Sequence, residues 1–102
     1  VVLHQANHFM LKQIIRRIKA DPDKVPVSLD RYGNTGGVSI PLTLCDTYGN
    51  DDSETEINAL MSGFGIGLSW GVTSTTIKMD RIFPIIKTSD YYAEGKFIPG
   101  EY

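Results

Sequence analysis

The sequence predicts an α/β fold in which helices are layered on a mixed sheet. Three observations carry this. An apolar stripe at helical spacing runs through the first twenty residues. Short β-branched runs recur along the rest of the chain. The two kinds of segment alternate as strand, helix, strand, helix, strand, strand, which is the order of a layered sheet.

Val1-Val2-Leu3 reads as the end of a buried strand. The start lacks the basic residues and extended apolar stretch of a signal peptide. It looks like a strand entered midway, so the chain is expected to begin inside a fold. A helix is predicted over residues 6–20, because Leu11, Ile14, Ile15 and Ile18 fall at i, i+3, i+4 and i+7. Lys12, Arg16 and Lys19 form a separate basic stripe. Asp21-Pro22-Asp23 stops the helix, since proline disfavours helical geometry in the residue before it.

Alternation of Val25, Val27 and Leu29 predicts a strand over 25–29, although Pro26 removes a ladder donor. The polar, glycine-rich segment Asp30 to Gly37 reads as a turn. A second helix is predicted over 38–48, with Pro41 in or near its first turn, where a missing N–H matters least. Residues 49–56 read as a solvated loop. A strand over 57–61 leads into the turn Gly63-Phe64-Gly65-Ile66-Gly67. Another strand, rich in Thr, Val and Ile, covers 68–79. Residues 80–102 read as a tail with one short strand at 83–86.

Bulk properties narrow the function. The chain has 102 residues, 41% hydrophobic and 22% charged, which fits a globular domain or a piece of a larger one. The net charge of −2 gives no reason to expect nucleic-acid binding, and no apolar run is long enough for a membrane span. Basic residues nevertheless cluster before Asp21, and a local basic surface suits an acidic partner. One cysteine, Cys45, excludes an internal disulfide and points to a reducing, cytoplasmic setting.

Two polar residues fall at equivalent strand-to-helix edges, His4 and Asn34. In open α/β sheets that edge is where ligands bind. Near a helix N-terminus the positive end of the dipole disfavours imidazolium, so His4 suits the role of a neutral donor. A histidine there can equally cap a helix, and asparagine beside glycine is a common turn residue. Spacing alone does not choose. His4 and His8 have zinc-ligand spacing, but Gln5 stands where a zincin needs glutamate and no third ligand follows, so no metal is expected. The glycine turn fails the dinucleotide fingerprint, because it leads to a strand and lacks the last glycine. Cys45 reads as a small core residue with nothing nearby to activate its thiol.

Three motifs now stand in order: His4-Gln5-Ala6-Asn7, Asp30-Arg31-Tyr32-Gly33-Asn34-Thr35, and Gly63-Phe64-Gly65-Ile66-Gly67-Leu68-Ser69-Trp70-Gly71. Together they resemble the C-terminal half of β-ketoacyl-acyl-carrier-protein synthase III, a thiolase-fold condensing enzyme. The resemblance covers residues 1–79 and leaves 80–102 as an extension of unassigned role. It implies decarboxylative condensation of acyl-CoA with malonyl-acyl carrier protein at a Cys-His-Asn site. These are substrates, and no cofactor is implied. His4 and Asn34 match the family's histidine and asparagine, which stabilise the enolate. The backbone of Ile66 matches an oxyanion donor, where the family usually has glycine. Phe64 matches a pocket residue, and Asn7 one near the pantetheine arm.

The carrier-protein dock matches Gln5, Ala6, Asn7, His8 and Phe9, then Lys12, Arg16 and Arg17, with Lys19 on the same stripe. The family's usual arginine is Phe9 here. The resemblance further implies a missing cysteine-bearing N-terminal half and a homodimeric full-length parent. Two other readings stay open: a related polyketide-type synthase, and a non-catalytic module that binds a carrier protein or partner subunit.

Overall fold

The computed structural model describes residues 1–90. Strand β1 (Val2–Leu3) pairs in parallel with β2 (Glu56–Gly65), and β2 pairs antiparallel with β3 (Ser69–Lys78). The sheet is therefore mixed, in the order β1-β2-β3, as expected for the layered class. Helices α1 (His8–Ile18) and α3 (Ser39–Tyr48) are the main helical elements. A single turn of helix, α2 (Leu29–Tyr32), lies between them.

Asn7 starts α1: its side-chain oxygen accepts from Met10 N at 2.9 Å. This satisfies one of the N–H groups that every helix leaves unpaired at its start. The helix ends at Lys19, which takes a left-handed conformation (φ 54°) and donates to Arg16 O. Both ends lie inside the expected 6–20 span. Leu11 faces inward with Leu3 and Val25, and Ile14 and Ile15 pack against them. Ile18, the fourth member of the stripe, is exposed.

Residues 25–29 do not form a strand. Val25 N donates to Pro22 O, Pro26 has no N–H, and Ser28 N donates to the Gln5 side chain. Three of the five positions thus offer no donor to a ladder, and the alternating valines serve as packing residues under α1. Leu29 then opens α2. Asn34 therefore follows a helical turn, not a strand end.

The glycine segment is also reorganised. Gly63 and Gly65 belong to β2, and the reversal occurs at residues 66–68, with Gly67 at φ 79° and Leu68 at φ 46°. Successive strand residues face opposite sides of a sheet. Leu3 faces α1, so His4 projects to the other face, toward Ser39 at the start of α3.

Beyond β3, Met79 N donates to Thr55 O, and Met79 and Ile82 are buried. The expected strand at 83–86 is absent. That segment instead lies against α3, passing close to Gly49 just beyond its C-terminal end, and Phe83, Pro84 and Ile85 share an apolar groove with Val38, Pro41, Leu42 and Cys45. Cys45 is half-buried there and not a core residue. The rest of the expected extension, residues 91–102, lies outside the described residues.

Gly49 is the point of closest approach. A Cβ there would meet the Cys45 carbonyl oxygen and lie 2.5 Å from Phe83 O and 2.6 Å from Pro84 Cα. All three are backbone atoms and cannot swing aside. Gly49→Ala is expected to cost about 1–3 kcal/mol through overpacking. A lowered urea midpoint together with faster proteolysis near residue 84 checks this.

Candidate active site

His4 continues the β1 ladder, since its N–H donates to Ser62 O at 2.9 Å. This hydrogen bond fixes its backbone, and two further contacts fix the ring. Nδ1 lies 2.7 Å from Ser39 Oγ, at the first residue of α3. The Phe64 ring meets it edge to face, with centroids 5.2 Å apart and planes at 78°. His4 does not cap α1, because Asn7 does.

These groups open onto a cavity of about 350 Å³ lined by His4, Gly36, Gly37, Ser39, Ile40 and the Gly63–Gly65 run. Three stretches far apart in sequence thus meet at one place: the end of β1, the loop into α3, and the end of β2. Glycines at 36, 37, 63 and 65 leave the floor without side chains, and backbone groups border the space.

Asn34 is exposed and is not among the residues lining this cavity. Its Oδ1 accepts from Gly36 N at 3.0 Å, an Asx turn that ties it to the segment that does line it. With the oxygen so committed, the Nδ2 hydrogens are the donors left to offer. The preceding turn is held from below. Arg31 Nη2 lies 2.6 Å from Asp46 Oδ2 and donates to Val27 O, and Tyr32 OH donates to Asp46 Oδ1 at 3.3 Å. Arg31 is half exposed, so this ion pair serves mainly to orient α2 on α3.

Phe64 lines the cavity as the sequence suggests. Ile66 does not: it sits fully exposed at the hairpin tip, and its carbonyl accepts from Ser69 Oγ. The backbone of Gly65 borders the cavity in its place.

The first 77 residues match the family model described as 3-oxoacyl-[acyl-carrier-protein] synthase III C terminal. The chain belongs to this family. It is 44% identical to the β-ketoacyl-[acyl-carrier-protein] synthase III of Rhodopirellula baltica over 71 residues, which are 70% of this chain and 21% of that protein. It is 40% identical to the Streptococcus gordonii synthase III over 78 residues, 74% of this chain and 24% of that protein. A crystal structure of a 3-oxoacyl-(acyl-carrier protein) synthase from Burkholderia xenovorans superposes with a TM-score of 0.76 at 33% identity. That match covers 82% of this chain and 24% of that one. The chain thus spans about a fifth to a quarter of the relatives it matches.

In this synthase III C-terminal chain, the segment expected to dock a carrier is not uniformly a surface. Gln5 is 0% exposed. Its Nε2 donates to Leu3 O at 2.9 Å, and its Oε1 accepts from Ser28 N at 3.0 Å. Gln5 is therefore a structural bracket between β1 and the 25–28 segment, and its side chain cannot reach a partner. Asn7, His8, Phe9, Lys12, Arg16, Arg17 and Lys19 are exposed, and Ala6 is half-buried. No pattern in the sequence marks Gln5 as enclosed, nor Ser39 as the partner of His4. Among the described residues no helix is long and apolar enough to cross a membrane.

Proposed function

We propose that this chain supplies the enolate-stabilising side of a decarboxylating ketoacyl synthase III, with His4 and Asn34 as hydrogen-bond donors. One observation carries the reading. His4 and the segment Gly36, Gly37 and Ser39, to which Asn34 is tied through Gly36 N, border one glycine-floored cavity although His4 and Ser39 are 35 positions apart in sequence.

In the proposed reaction, a cysteine elsewhere in the longer protein carries the acyl group as a thioester. Malonyl-carrier protein loses carbon dioxide, and negative charge develops on its thioester oxygen. Neutral N–H donors from His4 and Asn34 stabilise that charge, and preorganised donors of this kind give about 10²–10³ in rate each. The enolate carbon then attacks the acyl thioester and expels the cysteine thiolate. Phe64 walls the cavity, and Asn7 lies beside the path of the pantetheine arm. Ile66 N–H, at the open hairpin tip, is the proposed donor to the acyl-side oxygen. Cys45 is no candidate for the nucleophile, because it faces the groove under residues 83–85 and not the His4 cavity.

The exposed basic residues Lys12, Arg16, Arg17 and Lys19 on α1, with Phe9 at 71% exposure, are the proposed dock for an acidic carrier protein. The full-length enzyme is expected to form 3-ketoacyl-carrier protein from acyl-CoA and malonyl-carrier protein, and this chain alone is expected to form none. Arg16→Glu with Arg17→Glu is expected to raise KM for the carrier substrate about tenfold or more, with kcat changed less. Product formation by the isolated chain that survives loss of Cys45 would overturn the assignment. An unchanged carrier KM would remove α1 from the dock.

A further inference from the structure

We propose that Ser39 is a positioning residue that locks His4 in the Nε2–H tautomer, so that the proton is presented to the cavity. Ser39 is 1% exposed and lies at the start of α3. Its Oγ has two neighbours in bonding range among the described residues. One is His4 Nδ1 at 2.7 Å. The other is Gln5 N–H, which donates to it at 3.4 Å.

A hydroxyl has one hydrogen and two lone pairs. The Gln5 amide can only donate, so it occupies a lone pair. The hydroxyl hydrogen then needs an acceptor, because a buried O–H left without one is strongly disfavoured. His4 Nδ1 is the acceptor at hand. If Nδ1 carried the proton instead, Ser39 Oγ would receive two N–H groups and its own hydrogen would have no partner. The arrangement therefore selects a neutral ring with its lone pair on Nδ1 and its proton on Nε2.

The surroundings keep the hydroxyl in place. Thr43 Oγ1 donates to Ser39 O at 2.6 Å, and Ser28 Oγ lies 2.8 Å from the same Thr43 oxygen. Gln5, whose amide sets the Ser39 orientation, is itself held at both ends of its carboxamide. The edge of Phe64 resists rotation of the ring. The tautomer is a property of the chain. Only its use as an enolate donor rests on the proposed function.

The test is a long-range ¹H–¹⁵N spectrum of the full chain with ¹⁵N-labelled histidine, recorded where the rings are neutral. His8 is the other histidine and is exposed, so it serves as the internal reference for a freely exchanging ring. His4 is expected to show a protonated Nε2 and an unprotonated, hydrogen-bonded Nδ1, with the two shifts spread wider than those of His8. Ser39→Ala is expected to draw the two His4 shifts toward the His8 pattern, and Ser39→Thr to retain the wild-type spread. A protonated Nδ1 in the wild type, His4 shifts matching those of His8, or an unchanged His4 pattern in Ser39→Ala each overturns the proposal. The wild-type comparison decides if Ser39→Ala does not fold. A locked Nε2–H ring combined with full condensing activity after loss of His4 would reject the enolate reading and leave the Ser39 assignment standing.

Discussion

Replacing His4 by alanine in the full-length synthase is expected to slow malonyl decarboxylation by about 10²–10³, with acylation of the cysteine nearly unchanged. The asymmetry follows from where charge develops. Acyl transfer to cysteine places negative charge on the acyl thioester oxygen, on the side where Ile66 N–H is the proposed donor. In the proposed mechanism decarboxylation places it on the malonyl thioester oxygen, for which His4 is the proposed donor. The imidazole borders the cavity and meets Ser39 and Phe64, so its removal deletes a donor and also leaves the buried Ser39 hydroxyl without its acceptor. Asn34→Ala is expected to act in the same direction. Its carboxamide oxygen also anchors the Asx turn to Gly36, so some of its loss will come from displacement of the 34–37 loop. The two half-reactions are separated by following ¹⁴C-labelled carbon dioxide release and radiolabelled acyl-enzyme in parallel. Equal loss of both in His4→Ala would remove His4 from the enolate role.

The second large effect is on stability. Gln5→Ala is expected to strand two buried backbone groups, Leu3 O and Ser28 N, which the carboxamide now joins. Each stranded group costs about 1–3 kcal/mol, a large share of the net stability of any domain of this size. Gln5→Glu is expected to give no rescue. A carboxylate still accepts from Ser28 N, but it cannot donate to Leu3 O and would face that carbonyl with negative charge. Gln5→Lys fails in the opposite sense, because it has no acceptor for Ser28. Urea unfolding of the three variants beside Phe9→Ala, an exposed neighbour, measures this. A Gln5→Ala midpoint equal to that of Phe9→Ala would contradict the bracket.

The α1 stripe was legible because a repeating apolar pattern states directly which face is buried, and Leu11, Ile14 and Ile15 obey it. The β2–β3 hairpin was legible because β-branched runs on either side of a glycine turn have few other uses. Residues 25–29 misled for a physical reason. Alternation describes which side chains point together, but a strand also needs a partner for its backbone. Here Pro26 lacks a donor, and Ser28 gives its own to Gln5. The sheet-edge argument therefore set Asn34 beside the segment that lines the His4 cavity on a false premise, since α2 precedes it. His4 was singled out through motif and position, and the structure places it on the cavity. Its partner Ser39 was hidden, because a serine opening a helix looks like any other and the contact spans 35 positions. Gln5 was placed in the carrier dock because the resemblance matches it to the family's docking segment, and only its bonds to Leu3 O and Ser28 N reveal that it is enclosed.

Strand β3 lies at one margin of the sheet, with Trp70 at 76% exposure and Val72 also open to solvent. Its far-side N–H and C=O groups have no partner among the described residues. The outward-facing half of the backbone groups in this ten-residue strand, beside an apolar flank, forms a template for whatever chain arrives next. A strand added along that margin would extend the sheet and shield Trp70 and Val72. Dilution, a neighbouring copy or the remainder of a longer polypeptide would each set a different balance between a lone hairpin and a continued sheet.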